Sequence, residues 1–574
     1  MQDNYELSSG NISERNFIMK IALGIHVGHD RGACLIKDEK VIAAIANERI
    51  DRVKYSQSLE IPFDSINALL SYCGIDIEDV QSIGISGVAF EGNRMLNWYK
   101  EEFFNYYKCA YIPFYLVDHH DAHAYSTYYS SGQSKNLIFV FDGGGDFTPT
   151  MQESESIYIG YNGRITLVDR RLQNMVVRHM KDEINYVFPL MPEHVQNLEM
   201  SIARKYSQIT RLLGFGFGEE GKTMGLASFG HSLLDFSSLK YNSLDYSLTY
   251  KDIMQDLYVM QQNCEKRFRE YIYSERENIA ATVQNFVECA VVSFISAYTK
   301  KFNTKNICVA GGLFLNCLTN HKIIGQLNIE NVFFLPSSGD YGQALGSAYY
   351  AYVHEFGYKD NFQISLPYLG VSYSNVQIKN AIEKKELKYH EYKDSELAMI
   401  LADYISSNKI VALHRGRTEI GPRALCHRSI LANPTNPDMK DILNRRVKHR
   451  EPFRPFAPTI TEEDQFQYFE LKADSPYMLL AANVKEECRL KLASITHVDN
   501  TARVQAVSQD KEPFIHALLM ELKKRTGFPI VLNTSFNVAG QPIVESPLDA
   551  INTFLSTDID VLVIGDCVID KSLM

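Results

Sequence analysis

Two histidines, His119 and His123, stand four residues apart in the stretch DHHDAHA, and Asp142 follows at the end of the apolar run NLIFVFD. On a helix, residues at i and i+4 share one face with Cβ atoms about 6 Å apart, so both imidazoles could serve one transition metal. Such an ion also accepts a carboxylate, and α/β folds place ligands at strand ends. The competing reading is a helix start with incidental polar histidines. Three glycines after Asp142, in DGGGD, favour the functional reading. Gly143 and Gly144 would let backbone N–H groups approach an anion.

Two further turns have the same character. CVAGGLFLN places Gly311, Gly312 and Asn316 after a strand, and PSSGDYGQALG supplies Asp340. Three strand-to-glycine turns, two of them with an aspartate, together describe a nucleotide cleft. GFGFGEEGKTMGLA adds Lys222, suited either to a phosphate or to a plain surface loop.

A second chemistry is written further along. Between Arg415 and Arg454 there are ten Lys/Arg and four Asp/Glu, in a chain whose net charge is −11. A solvated surface run is the ordinary explanation of such charge. Here the cations are interleaved with Gly, Pro and apolar residues, which fix loop geometry and let guanidiniums converge. Convergent Arg and Lys suit a polyphosphate or an acyl phosphate. TARVQAV supplies Arg503, and LNTSFNVAG supplies Asn533, Ser535 and Asn537 as neutral donors at a strand end.

Regular elements must hold these groups. KIALGIH reads as a strand and ACLIKDEKVIAAIANE as a hairpin around DEK, the way an actin-like ATPase fold begins. Apolar residues at 279, 283, 286, 287, 290, 291, 294, 295 and 298 form one helical stripe. Residues 243–275 read as a helical insertion. The pattern breaks over DNFQISLPYLGVSYSN, which sets a boundary near residue 370. After it KIVALH, FPIVLN and VLVIGDCVI resume the alternation of strands and helices. No internal repeat is visible.

At 574 residues the chain exceeds one ordinary core, so two or three domains are expected. The acidic balance disfavours nucleic acid as a partner and suits a cationic small molecule. Ten scattered cysteines read as reduced thiols of a cytoplasmic protein. No apolar run approaches the roughly 20 residues of a membrane span, so no membrane partner is expected. Residues 1–18 read as a polar extension without the apolar core of a signal peptide.

Taken together, GRTEIGPRAL with RSILANP, KHREPFRPFAP, ARVQAV, LNTSFN, HHDAHA and FDGGGD resemble the O-carbamoyltransferase family of nodulation and antibiotic-tailoring enzymes, over residues 19 to 570. The resemblance implies an α/β protein of two domains. Residues 19–370 would be actin-like, similar to the threonylcarbamoyl-adenosine tRNA transferase, and 371–574 a YrdC-like twisted α/β domain. It implies carbamoyl-AMP and pyrophosphate made from carbamoyl phosphate and ATP with Mg²⁺, then carbamoyl transfer to an alcohol on a small natural product, with an aminoglycoside or guanidinium alkaloid among the candidates.

Residue by residue, the family's metal ligands map onto His119, His123, Asp142 and Asp340, holding Fe²⁺ or Zn²⁺. Its catalytic pair maps onto His29 and Asp30, whose alternative is a structural hydrogen bond. Its carbamoyl phosphate and ATP contacts map onto Arg423, Lys448, Arg454, Arg503, Asn533 and Ser535. The chain departs from the family at Cys426 and His427 after GPRAL, at the extra Glu of GEEGKTMGLA and at the last residue of DGGGD. A tRNA-modifying fusion and a non-catalytic nucleotide-binding regulator are the rival readings. A homodimer is one open option for assembly.

Overall fold

A computed structural model of the chain describes residues 19–87, 92–146, 151–174, 201–236, 265–359 and 362–574. The extension 1–18 lies outside the described residues, as does 243–264 of the expected insertion; the rest of that insertion contributes the helix Glu265–Ser274.

Among the described residues the strands form three sheets. The first contains β1 (Ile21–His26), β2 (Gly32–Lys37), β3 (Lys40–Ala46), β4 (Ser82–Ser86) and β5 (Phe114–Leu116), in the order β3-β2-β1-β4-β5. The second contains β6 (Lys135–Phe141), β7 (Met151–Tyr161), β8 (Arg164–Asn174), β9 (Asn306–Ala310) and β10 (Asn331–Phe334), in the order β10-β9-β6-β7-β8. Each sheet opens with three antiparallel strands and continues with two parallel ones. Each is then followed by a helix, His119–Ser131 after β5 and Gln343–Phe356 after β10. The two halves therefore repeat one topology, which the sequence does not reveal. A repeat of backbone plan needs only matching apolar and turn positions, and these survive when residue identities diverge.

The helix Gln343–Phe356 lies on β1 and β4, and its partner His119–Ser131 lies on β6 and β9, so the pair fills the space between the sheets. Their approach depends on missing side chains. A Cβ at Gly346 would come within 1.8 Å of the Ala122 carbonyl oxygen, and one at Gly24 within 2.0 Å of that of Ala344. A mixed core of Tyr128, Tyr129, Tyr349, Val140 and Leu345 forms around this contact.

The helix Arg276–Lys301 carries the predicted stripe, with Ile279, Val283, Phe286, Val287, Val291, Phe294, Ile295 and Tyr298 buried. By length and composition this helix would also suffice for a membrane span, contrary to the expectation that no such run exists, and most of it is packed inside the fold. From His390 onward the strands belong to a ten-stranded mixed sheet. At its middle run Val411–His414, Arg428–Ala432, Ile530–Ser535, Ala457–Thr461 and Thr501–Val507, in that spatial order. The expected boundary near 370 falls between the helix Gln343–Phe356 and the helix Asn375–Glu383.

Candidate active site

Asp118 starts the histidine helix. Its side chain accepts from the Asp121 N–H at 3.0 Å, an N-cap that fixes the direction of the first turn. Arg170 braces the same turn from β8 by reaching Asp118 at 3.2 Å and Asp121 at 3.5 Å. His119 and His123 then share a face, with ring centroids 5.0 Å apart. His120 points elsewhere and meets Ser156 Oγ at 2.7 Å through Nδ1.

Asp142 ends β6. Its Oδ1 accepts from the Gly312 N–H at 2.8 Å, and Gly311 makes that turn with φ +99°, a conformation natural only to glycine. Asp340 begins the turn that leads into the helix Gln343–Phe356. One atom from each of His119, His123, Asp142 and Asp340 lies within 4.8 Å of the others. His119 Nε2 is 3.5 Å from Asp142 Oδ2 and 3.6 Å from Asp340 Oδ1, and His123 Nε2 is 3.3 Å from that same oxygen. Both histidines are fully buried, and neither Nε2 has a hydrogen-bond partner. His119 Nδ1 lies 3.1 Å from the Gly87 carbonyl, so Nδ1 keeps a proton there and Nε2 is the nitrogen left to face an ion. Orphaned buried nitrogens facing two carboxylates are the donor set a divalent transition ion wants, so the residues fit a metal.

Without an ion the charges compensate one another. Burial opposes the charge on His119, but Asp340 and then Asp142 outweigh it and raise the imidazole to about 10. Burial likewise opposes the carboxylate form of Asp340, yet His29 and His119 hold it well below the usual range.

The structure adds His29 to this group, with Nε2 3.1 Å from Asp340 Oδ2 and Nδ1 3.3 Å from Asp30. It adds His26 too, which the sequence reading missed, with Nε2 3.7 Å from Asp340 Oδ2. Phe217, about half exposed, stands edge-on to His29 with centroids 5.2 Å apart. Its loop is held by Tyr55, whose hydroxyl donates to the Gly218 carbonyl at 2.6 Å. Gly143 takes part through its carbonyl, which accepts from Gln173 at 3.1 Å and Ser201 at 3.2 Å. Gly144 packs on Gln152.

The basic island separates into two kinds of cation. Arg415 pairs with Asp394 and Asp566, Arg446 with Asp560, and Arg417 donates to the carbonyls of Ile42, Leu369 and Gly370. Arg428 is fully buried among backbone carbonyls and Glu545. These are structural. Arg423, Lys448, Arg450 and Arg454 are different, and Arg503 joins them from its own strand. Burial and the charges of Arg503 and Arg454 press Arg423 down to about 9. Burial with Arg454 and Arg503 does the same to Arg450. Lys448 is lowered by burial, then by Arg450, Arg454 and Lys54. The Nε atoms of Arg423 and Arg503 have no partner. Mutual repulsion of this kind marks a site suited to a polyanion.

The remaining expected residues are engaged as follows. Lys448 donates to Ser535 and, at 2.9 Å, to Asn537 Oδ1. Asn533 donates to Thr459 and Gln505, each at 3.1 Å, while its Oδ1 has no partner. Lys222 is held by Glu219 at 2.7 Å and Glu451 at 2.8 Å, at the seam with the C-terminal sheet. Asn316 caps the helix Cys317–Gln326 by accepting from the Thr319 N–H, and its amide donates to Gln284 at 2.9 Å.

The two groups adjoin. Arg423 donates to the Leu315 carbonyl at 3.4 Å, three residues beyond the Gly312 that holds Asp142. A single short segment touches both. Glu48 accepts from the Tyr341 hydroxyl, next to Asp340, at 3.1 Å, and Arg49 donates at 3.1 Å to the carbonyl of Gly421, two residues from Arg423. Arg52 reaches the Ile543 and Pro542 carbonyls at 2.6 and 3.2 Å.

A mixed α/β chain with these two groups matches a known class of transferase. Residues 102–349 match the carbamoyltransferase N-terminus and residues 402–571 the carbamoyltransferase C-terminus. The chain belongs to the carbamoyltransferase family and is an enzyme of that kind. Nodulation protein NolNO of Sinorhizobium fredii is 31% identical over 95% of this chain and 79% of its own. An uncharacterized protein of Synechocystis is 29% identical over 95% of both chains. The crystal structure of T. kodakarensis HypF aligns with 59% of this chain and 48% of its own at 13% identity, with a TM-score of 0.39, too low to assign the fold in detail.

Proposed function

We propose that the protein is an ATP-dependent O-carbamoyltransferase acting on a hydroxyl of a small natural product. The observation that carries this reading is the Arg423–Leu315 contact, which sets an uncompensated cationic cluster against the turn holding Asp142. In the first step water removes the phosphoryl group of carbamoyl phosphate as orthophosphate. The carbamate oxygen then attacks the α-phosphorus of ATP, and pyrophosphate leaves. Arg423, Arg503, Arg454 and Lys448 neutralise the phosphates of both substrates, and Asn533 and Ser535 orient the carbamate. Mg²⁺ accompanies the nucleotide, and the side-chain-free turns at Gly143, Gly144, Gly311 and Gly312 let its phosphates approach the backbone closely.

The C-terminal residues are read as a YrdC-like domain and the N-terminal sheets as an actin-like one. His119, His123, Asp142 and Asp340 would hold an Fe²⁺ or Zn²⁺ ion, which would supply Lewis acidity for the second step. His29, oriented by Asp30, takes the proton of the acceptor hydroxyl, and Phe217 gives the acceptor a flat apolar surface. The adenylate passes between adjoining sites, which keeps it from water.

Purified protein given ATP and carbamoyl phosphate should release pyrophosphate. His119→Ala should keep that release and lose transfer, whereas Arg454→Ala should lose release. Loss of both activities in folded His119→Ala would end this division of labour. Release that needs threonine and bicarbonate would instead mark a tRNA-modifying enzyme.

A further inference from the structure

We propose that His26 is a positioning residue that steadies Asp340 by directing Nε2–H toward Oδ2 from 3.7 Å, which leaves Oδ1 turned toward His119 and His123. This rests on the reading of His119, His123, Asp142 and Asp340 as a metal set.

The two oxygens of Asp340 have different neighbours. Oδ1 faces His119 and His123, and Oδ2 faces His26 and His29. His29 is partly exposed and also meets Asp30, so it has a second duty. His26 has none. It ends β1, is fully buried, and its Nε2 is 3.7 Å from Oδ2 with no hydrogen-bond partner.

The other side of the ring sets the tautomer. His26 Nδ1 is 3.1 Å from Ser86 Oγ, and Ser86 Oγ is 2.9 Å from Ser347 Oγ. A hydroxyl carries one proton. If Ser347 donates to Ser86 and Ser86 donates to Nδ1, the ring proton sits on Nε2 and points at the carboxylate. The opposite tautomer would aim a lone pair at an anionic oxygen. The three groups come from β1, β4 and the helix Gln343–Phe356, so the relay ties Asp340 to rigid elements instead of to its own turn. His26 is not among the residues whose donor atoms can share one ion, so it acts through Asp340 and adds no fifth ligand. A carboxylate held by one oxygen in this way keeps a fixed coordination geometry, the usual work of a partner behind a ligand.

The test compares wild type, His26→Leu, His26→Gln and Ser86→Ala, each loaded with Zn²⁺ and separately with Co²⁺. Gln retains an N–H donor near the place of Nε2, and Leu does not. His26→Leu should bind Zn²⁺ about 10-fold or more weakly in chelator competition and shift the visible absorption of bound Co²⁺. His26→Gln should stay within about threefold of wild type, and Ser86→Ala should lose a few-fold. Equal binding by wild type and His26→Leu overturns the proposal, as does a loss in His26→Gln as deep as in His26→Leu. Should His26→Leu not fold, unchanged binding by Ser86→Ala overturns it as well. A wild type that takes up neither ion would refute the metal reading itself, whereas a loaded wild type with indifferent variants refutes only the role of His26.

Discussion

The histidine–aspartate centre, which is buried, and the cationic cluster, which is mostly half-buried, are both built from charged side chains and opposite in their charge balance. In the first, two imidazoles face two carboxylates at 3.3–3.6 Å, so charges of opposite sign stand together. In the second, Arg423, Arg450, Arg454, Arg503 and Lys448 face one another, with Glu451 as a minor counterweight. A compensated site adds to stability whether or not its ligand is present. An uncompensated one costs stability until an anion arrives, and that stored cost becomes binding selectivity for polyphosphates.

The strongest way to break this contrast is to delete one cation. Arg503→Met should reduce pyrophosphate release by at least about 100-fold, the scale of losing one preorganised charge donor. The same change should raise the stability of the ligand-free protein by up to about 1 kcal/mol, because a half-buried charge with no ion-pair partner among the described residues is replaced by hydrocarbon. Urea titration reads the second effect; a variant less stable than wild type would mean the cluster is balanced by groups not counted above.

Acidity sharpens the other side. With its folded value raised to about 10, His119 is protonated at neutral pH in the ion-free protein. An ion must displace that proton, so apparent Zn²⁺ affinity should rise roughly tenfold per pH unit between about 6.5 and 8.5. The stabilisation from the raised value works in reverse: it is complete below about pH 6.5 and disappears as pH climbs toward 10. Chelator competition across that range checks the slope, and a flat profile would contradict it.

The smallest expected effect tests the scaffold. Gly346→Ala drives a methyl into the Ala122 carbonyl. It should cost about 1–3 kcal/mol in urea unfolding and leave pyrophosphate release nearly unchanged, since the displaced helix follows the Asp340 turn and carries none of the arginines.

Much of the site was legible in the sequence because its signals are local. His119 and His123 are spaced by one helical turn and preceded by a capping Asp118, and Asp142 and Asp340 stand in glycine-bearing turns after strands. What stayed hidden depends on partners far along the chain. Lys222 looked available for phosphate, but Glu451, 229 positions later in number, holds it. The ten cations between 415 and 454 look alike in the text, and only the positions of Asp394, Asp560 and the backbone carbonyls separate the structural ones from the rest. Asn316 could have been read as a helix cap from its place before CLTNHKI. His26 gave no signal, since a histidine closing an apolar strand has no distinctive neighbour. Strands β1, β2, β3, β6 and β9 were readable from alternation and turns, but β4, β5, β7 and β8 were not, and neither was the duplicated arrangement of the two five-stranded sheets.

The stretch from Glu48 to Arg52 contacts Tyr341, Gly421, Pro542 and Ile543 within five residues. Anyone building a chimaera by swapping the second half of the chain with that of a relative would leave these five residues behind with the first half. They would then meet a foreign surface, so a working hybrid has to exchange them together with the graft.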